Sequence, residues 1–261
     1  MGMLKGRIGF VTGGGTGIGL ACARRMLTEG AAVVIAGRRQ DVLRKAVDSL
    51  GGGASYVVCD VSDEASVAEA VATVVERHGR LDAAVNAAGG GSGGNVEQQS
   101  TADFAQALAT NLVGVYASLR AEAQAMLQGG HGGSIVNISS IAATLPHRGM
   151  SSYCVGKAGV NMLTRCQADD LGPRGIRVNA VMPGLVETVI VAPLMGFKPA
   201  VDSNLARMTL GRVGQPTDVA GLVTFLLGED AAWITGQCIA ADGGNTLRGA
   251  PDLGTLFGTA Y

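Results

Sequence analysis

From residue 8 to residue 240 the chain alternates short apolar runs with longer stretches of helical periodicity. That rhythm leaves few folds open. Residues 8–12, 32–36, 55–59, 83–86, 134–138, 176–180 and 237–240 read as strands. Between them 17–29, 41–50, 64–78, 101–111, 113–128, 152–171 and 217–227 read as helices. Runs such as AAVVIA and GSIVNI are apolar without alternation, as strands covered on both faces are. Such alternation predicts an α/β fold: a doubly wound, Rossmann-type parallel sheet with right-handed crossovers and helices on both faces. No linker or shift of composition divides the chain, so residues 1–261 read as a single domain. Residues 184–211 depart from the rhythm; they are long, apolar and rich in Met and Leu. A segment of that kind reads either as a substrate lid or as two irregular surface helices.

Composition narrows the function classes. Apolar residues make up 47% of the chain and charged residues 16%, enough for a sizeable core. The net charge of -1 builds no basic field for nucleic acid or an anionic membrane. The longest apolar tract, 178–197, is broken by Pro183, Gly184, Glu187 and Pro193 and does not suit a membrane span. The N-terminus runs at once into a strand without a signal-peptide core. Five cysteines with no CxxC pair suit reduced thiols in a cytoplasmic protein rather than a disulfide framework or a metal site.

The first strand runs into Gly13-Gly14-Gly15-Thr16-Gly17-Ile18-Gly19, and a helix follows. Glycines let backbone approach a pyrophosphate, and a helix N-terminus offers free N–H donors and a positive dipole end. A glycine-rich turn alone is a weak signal; at the first strand of an α/β domain it points to a dinucleotide. The residue reading the adenosine ribose should end the second strand, where Arg38 and Arg39 stand instead of an acid. Arginine forks onto a 2′-phosphate, which favours NADP over NAD; a solvated loop is the plainer reading. Asp60, followed by Val61, could bond the adenine amine or cap the next helix. Asn86-Ala87-Ala88-Gly89 ends the fourth strand with small residues that let backbone lie against a cofactor.

Tyr153 and Lys157 stand four apart on a predicted helix, hence on one face. A nearby ammonium and an oxidised nicotinamide would lower the tyrosine pKa toward neutrality, fitting it for proton transfer. Alone, Y-x-x-x-K is common enough to read more readily as a helix-surface pair. Ser139 and Ser140 end the fifth strand, at the sheet edge where ligands bind, and a hydroxyl there can hold a substrate oxygen. Asn111, in mid-helix, suggests either the ordering of a water beside the lysine or a buried amide satisfying a helix bend. Pro183-Gly184 turns the chain toward the same edge.

Taken in order, TGGGTGIG, NAAG, the central Asn, NISS, YCVGK and PG resemble the short-chain dehydrogenase/reductase family over residues 7–244, in its branch of about 250 residues. The resemblance implies a seven-stranded parallel sheet and hydride transfer at nicotinamide C4. It makes Ser140, thirteen residues before the tyrosine, the catalytic serine. It makes Tyr153 the acid/base, Lys157 the ligand of the nicotinamide ribose, Asn111 the support of a proton relay and Thr188 a partner of the carboxamide. It further implies a homotetramer, or a homodimer. The tail 245–261 falls outside the family pattern; its Leu253, Leu256, Phe257 and Tyr261 suit packing on a neighbouring subunit or a frayed end.

The expected activity is NADP(H)-dependent reduction of a carbonyl or oxidation of a secondary alcohol. An enoyl- or dienoyl-thioester reductase shares the glycine turn and arginines but not the Ser–Tyr–Lys register. A nucleotide-sensing regulator has no need of the acid, and a sugar-nucleotide epimerase needs a further domain. Ile141, Ala142, His147, Met150 and Leu185, with the lid, are the expected pocket wall, which suits a hydrophobic substrate.

Overall fold

The structure is a computed structural model that describes residues 2–91 and 93–248. Seven strands form one parallel sheet: β1 (Ile8–Thr12), β2 (Ala32–Gly37), β3 (Ala54–Val58), β4 (Ala83–Asn86), β5 (Gly133–Ile138), β6 (Ile176–Pro183) and β7 (Cys238–Ala241). Their order is β3-β2-β1-β4-β5-β6-β7. The helices are α1 (Gly17–Thr28), α2 (Gln40–Leu50), α3 (Glu64–His78), α4 (Thr101–Leu108), α5 (Gly114–Gly129), α6 (Ser151–Leu171), α7 (Ala192–Met195), α8 (Lys198–Leu205) and α9 (Pro216–Leu227). The expected doubly wound Rossmann-type architecture is the one observed. Order reverses between β1 and β4, which opens the crevice where such sheets bind ligands.

The absence of alternation in the strands has its cause in two cores. Val11, Val33, Ile35, Val85 and Val136 pack with Cys22 and Met26 of α1 and Val219, Val223 and Leu226 of α9. Their neighbours Phe10, Val34, Ala84 and Ile135 pack with Val67, Val71 and Val74 of α3 and Leu119 and Met126 of α5. Successive residues thus face opposite layers, and both layers are dry.

One rung of the second layer is polar. Thr12, Asn86 and Asn137 stand side by side on β1, β4 and β5. Asn86 Nδ2 donates to Glu122 Oε2 (3.0 Å) and Asn137 Oδ1 (3.1 Å), and Asn137 Nδ2 donates to Thr164 Oγ1 (3.0 Å). Glu122 is fully buried, and its Oε1 has no partner among the described residues. Burial pushes its carboxyl up to about 8, opposed by the Asn86 bond.

Sequence periodicity predicts a break at residue 112. The chain instead runs on from α4 to α5 through a π-helical turn, Ala109–Val113, whose apolar pattern resembles the flanking helix. Residues 184–211 hold a 3-10 turn (Val189–Val191) and the short helices α7 and α8. Val186 and Met208 anchor the segment, while Val189, Ile190, Phe197 and Leu210 are exposed. Among the described residues no helix is long and apolar enough to cross a membrane. All five cysteines are free thiols. The tail side chains Leu253, Leu256, Phe257 and Tyr261 lie outside the described residues.

Glu122 sets a pH dependence. Its folded pKa lies above its unfolded one, so its full contribution to stability is present below about pH 4.5 and is lost as pH rises through about 8. Glu122→Gln keeps the acceptor for Asn86 without the charge. Thermal melting should show the parent losing stability between pH 5 and pH 8 relative to the variant, by at least ~2–4 °C, the shift of ~1 kcal/mol in a domain this size. Parallel profiles would mean that Glu122 does not titrate in that range.

Candidate active site

The carboxyl ends of β1, β2, β4, β5 and β6 open on one cleft of about 500 Å³, a size suited to small-molecule sites. Gly13, Thr16, Gly17, Ile18 and Gly19 line it, as do Arg38, Arg39, Asp60 and Val61, and Ala87 and Gly89. Ser140, Tyr153, Lys157, Pro183, Gly184 and Thr188 line it too. Of the residues singled out from sequence, Asn86 and Asn111 are not among the lining. Sequence reasoning passed over Gly90, Thr110 and Ile138, which also line it; the lid segment was expected in the wall, and Val186 and Val189–Val191 are the lid residues there. Strand-end position could have pointed to Ile138; the lid residues carry no chemical signature.

The glycine turn is built for close approach. Gly13 has φ +66°, and a Cβ on Gly19 would stand 2.4 Å from Gly13 O. Only bare backbone lets α1 begin so close to β1. No side chain caps that helix at Thr16, which leaves the first-turn N–H groups for an anion. Arg38 and Arg39 are exposed, and neither guanidinium makes a hydrogen bond or ion pair with a described residue. Asp60 is not the cap of α3, as one sequence reading had it. Asp63 is, accepting from Ala65 N at 3.0 Å, while Asp60 Oδ1 accepts from the amide and the hydroxyl of Ser62. Those two bonds hold the Asp60 carboxyl below its ordinary value, with help from Arg38.

Ser140 and Tyr153 line the same part of the cleft, and the serine side chain is near enough to favour the phenolate. Ser139 is occupied elsewhere, donating to Lys157 O at 3.2 Å. The Lys157 amine lies 5.7 Å from the Tyr153 ring centre and donates to Ile138 O at 2.8 Å. It is 4% exposed, and burial pushes it down to about 8. The lowered tyrosine pKa expected from sequence is not what the protein alone produces. Burial raises the phenol, and the nearby Ser140 side chain only partly offsets this.

Asn111 and Asn86 act from behind the cleft. Asn111, in the π-helical turn, donates to Ala107 O and Gly90 O (both 3.0 Å) and accepts from Gly90 N (3.2 Å). Its amide is thus spent on backbone, and it pins the strand-end loop. A Cβ on Gly89 would lie 2.9 Å from Asn111 Oδ1 and 3.5 Å from Lys157 Nζ, so glycine there lets the loop lie against both. Asn86 turns its side chain away from the cleft, because register places it on the polar rung with Glu122. The expected pocket wall also fails in part. None of Ile141, Ala142, His147, Met150 and Leu185 lines the cleft, although lid residues do; Ile141 and Ala142 are buried, and the His147 ring bonds Leu145 O at 2.9 Å.

Among the described residues no group of three or more His, Cys, Asp or Glu side chains is placed to hold a metal ion.

Comparison with known proteins covers nearly the whole chain. A family model described as enoyl-(acyl carrier protein) reductase matches residues 13–246. A Streptomyces virginiae A-factor type gamma-butyrolactone 1′-reductase (1S-forming) is 38% identical, with 94% of this chain and 98% of that protein covered. An NADP-dependent (R)-specific alcohol dehydrogenase of Lentilactobacillus kefiri is 36% identical, with 94% and 98% covered. The structure of a short-chain type dehydrogenase/reductase from Mycobacterium ulcerans superposes with a TM-score of 0.91 at 38% identity, covering 97% of this chain and 94% of that one.

Proposed function

The chain belongs to the short-chain dehydrogenase/reductase family, and we propose that it is an NADP(H)-dependent oxidoreductase that interconverts a carbonyl and a secondary alcohol on a mostly hydrophobic substrate. The observation that carries this reading is the placing of Ser140, Tyr153 and the Lys157 amine together, with the amine 5.7 Å from the Tyr153 ring centre, inside the cleft that the glycine turn opens. Bound in that cleft, the nicotinamide supplies or accepts the hydride. Everything else falls to the chain's own groups.

In the reductive direction Tyr153 gives its phenolic proton to the substrate oxygen. Burial keeps the phenol neutral and so charged with that proton at ordinary pH. The Ser140 hydroxyl donates to the same oxygen and orients it. Lys157, held by Ile138 O, stabilises the phenolate left behind. Asn111 acts on this set from behind, by fixing Gly90 and, through it, the loop against the lysine. Arg38 and Arg39, exposed and with no hydrogen bond or ion pair to a described residue, suit the 2′-phosphate of NADP, and a relative at 36% identity is described as NADP-dependent. The exposed apolar side chains Val189, Ile190 and Phe197 make the 184–211 segment a lid suited to an apolar substrate. Exposed Tyr116, Val155 and Met162 on α5 and α6 suit cover by further copies of the chain, in keeping with a homotetramer.

Enoyl-thioester reduction is favoured by the description of the matching family model. The serine beside the tyrosine in the cleft speaks for a carbonyl oxygen instead, since it can give that oxygen a second donor.

Two outcomes test this reading. With NADPH and a panel of ketones, diketones, steroids and acyl thioesters, Tyr153→Phe should lower kcat by ~10²–10⁴-fold, the usual worth of a positioned acid. Undiminished turnover would contradict the mechanism. Arg38→Ala with Arg39→Ala should raise the Kd of NADPH about tenfold or more and leave that of NADH nearly unchanged, as read by nicotinamide fluorescence. Equal effects on the two would refute the 2′-phosphate assignment.

A further inference from the structure

Tyr153 is the third residue of α6, so its place depends on the first turn of that helix. First turns have amides without intrahelical partners, and a side-chain cap ordinarily steadies them. Here the capping position is Met150, which has no acceptor to offer, and no side-chain cap bond is made. Something else holds the turn.

The loop between β4 and α4 crosses to it. Gly94 N donates to Gly149 O at 2.7 Å. A Cβ on Gly93 would stand 2.8 Å from that same oxygen, so the loop lies flush on residue 149 only with glycine there. Gln99 Nε2 then donates to Ser152 Oγ at 2.9 Å. Ser152 is wholly buried and adjoins Tyr153 in sequence. Gln99 is itself fixed, its amide donating to Asn95 O at 2.9 Å. The other end of the loop is Gly90, which Asn111 grips through both its amide and its carbonyl. One loop therefore ties the lysine side of the cleft to the turn that carries the tyrosine.

We propose that Gln99 is a positioning residue, whose hydrogen bond to Ser152 sets where the first turn of α6 holds the Tyr153 phenol relative to Ser140. This rests on Tyr153 being the acid/base. The bond anchors the first turn through its buried serine side chain, and its loss lets the turn shift and the phenol wander. Near-attack geometry is steep in distance, so a shift on the order of 1 Å is enough to lower the rate ~10²-fold.

The test is a double-mutant cycle on the full chain, with NADPH and the best ketone of the panel. Gln99→Leu keeps the reach and removes the donor; Ser152→Ala removes the acceptor. Each should lower kcat about tenfold to a hundredfold, with KM for NADPH unchanged, and the double variant should be no worse than the worse single. Melting temperature and NADPH stoichiometry verify that each variant is folded. If Ser152→Ala does not fold, Gln99→Leu alone decides through its split of kcat against KM. A Gln99→Leu enzyme with kcat within twofold of the parent, or fully multiplicative losses in the cycle, would overturn the proposal. Tyr153→Phe is run in parallel: loss of its turnover with normal Gln99→Leu sinks only the positioning role, while full turnover in Tyr153→Phe sinks the acid/base reading itself.

Discussion

An amine sealed inside the protein is the constraint around which this site is arranged. Lys157 lies almost wholly out of water at the carboxyl end of β5, and burial alone brings it down to about 8. A group so placed disfavours its own charged form unless protein atoms replace the lost water. Ile138 O does so directly. The π-helical turn brings Asn111 toward α6, where Gly156 leaves room: a Cβ on that glycine would stand 3.2 Å from Asn111 Cβ. Bare Gly89 then lets the strand-end loop close over lysine and asparagine together. Each feature looks local, yet all of them serve one buried nitrogen.

The rest of the cleft follows from the sheet. Parallel strands need cover on both faces, so their helices force all the strand ends to open in one direction. Backbone amides and exposed arginines gather where a dinucleotide would lie, and the hydroxyl, phenol and amine gather where chemistry would occur. The first group needs exposure and free donors. The second needs burial, which keeps the phenol protonated and the amine close to its point of titration. One sheet edge supplies both environments because β1 and β2 end in solvent-facing turns, while β5 runs under α6.

Much of this was legible in the chain. Unbroken apolar runs such as 32–36 pointed to doubly covered strands, and the order of glycines, serine, tyrosine and lysine placed their strand ends and helix before any coordinates. What escaped the sequence was set by tertiary parity and burial. Asn86 has the right residue type for a cofactor contact, but it sits one residue beyond Val85 and so faces the layer of Glu122. The π-helical turn read as a break at residue 112 because its extra residue shifts the phase of the helical pattern. Ile141 and Ala142 look like pocket lining, yet they pack into the interior. The direction of the tyrosine shift depends on how deeply the ring is covered, which no spacing records. Gln99 gave no signal, since a glutamine in a polar loop is ordinary until Ser152 is seen beneath it.

The central claim is that this cleft passes a hydride to a carbonyl carbon while the buried phenol protonates its oxygen. The most direct measurement uses NADPH deuterated at C4 and the ketone that turns over best, with the alcohol product examined by mass spectrometry and NMR. The account predicts one deuterium on the carbinol carbon from a single face of the nicotinamide, and none elsewhere in the product. Deuterium appearing instead on a carbon beside the carbonyl, or an alcohol formed without deuterium from either face, would contradict it.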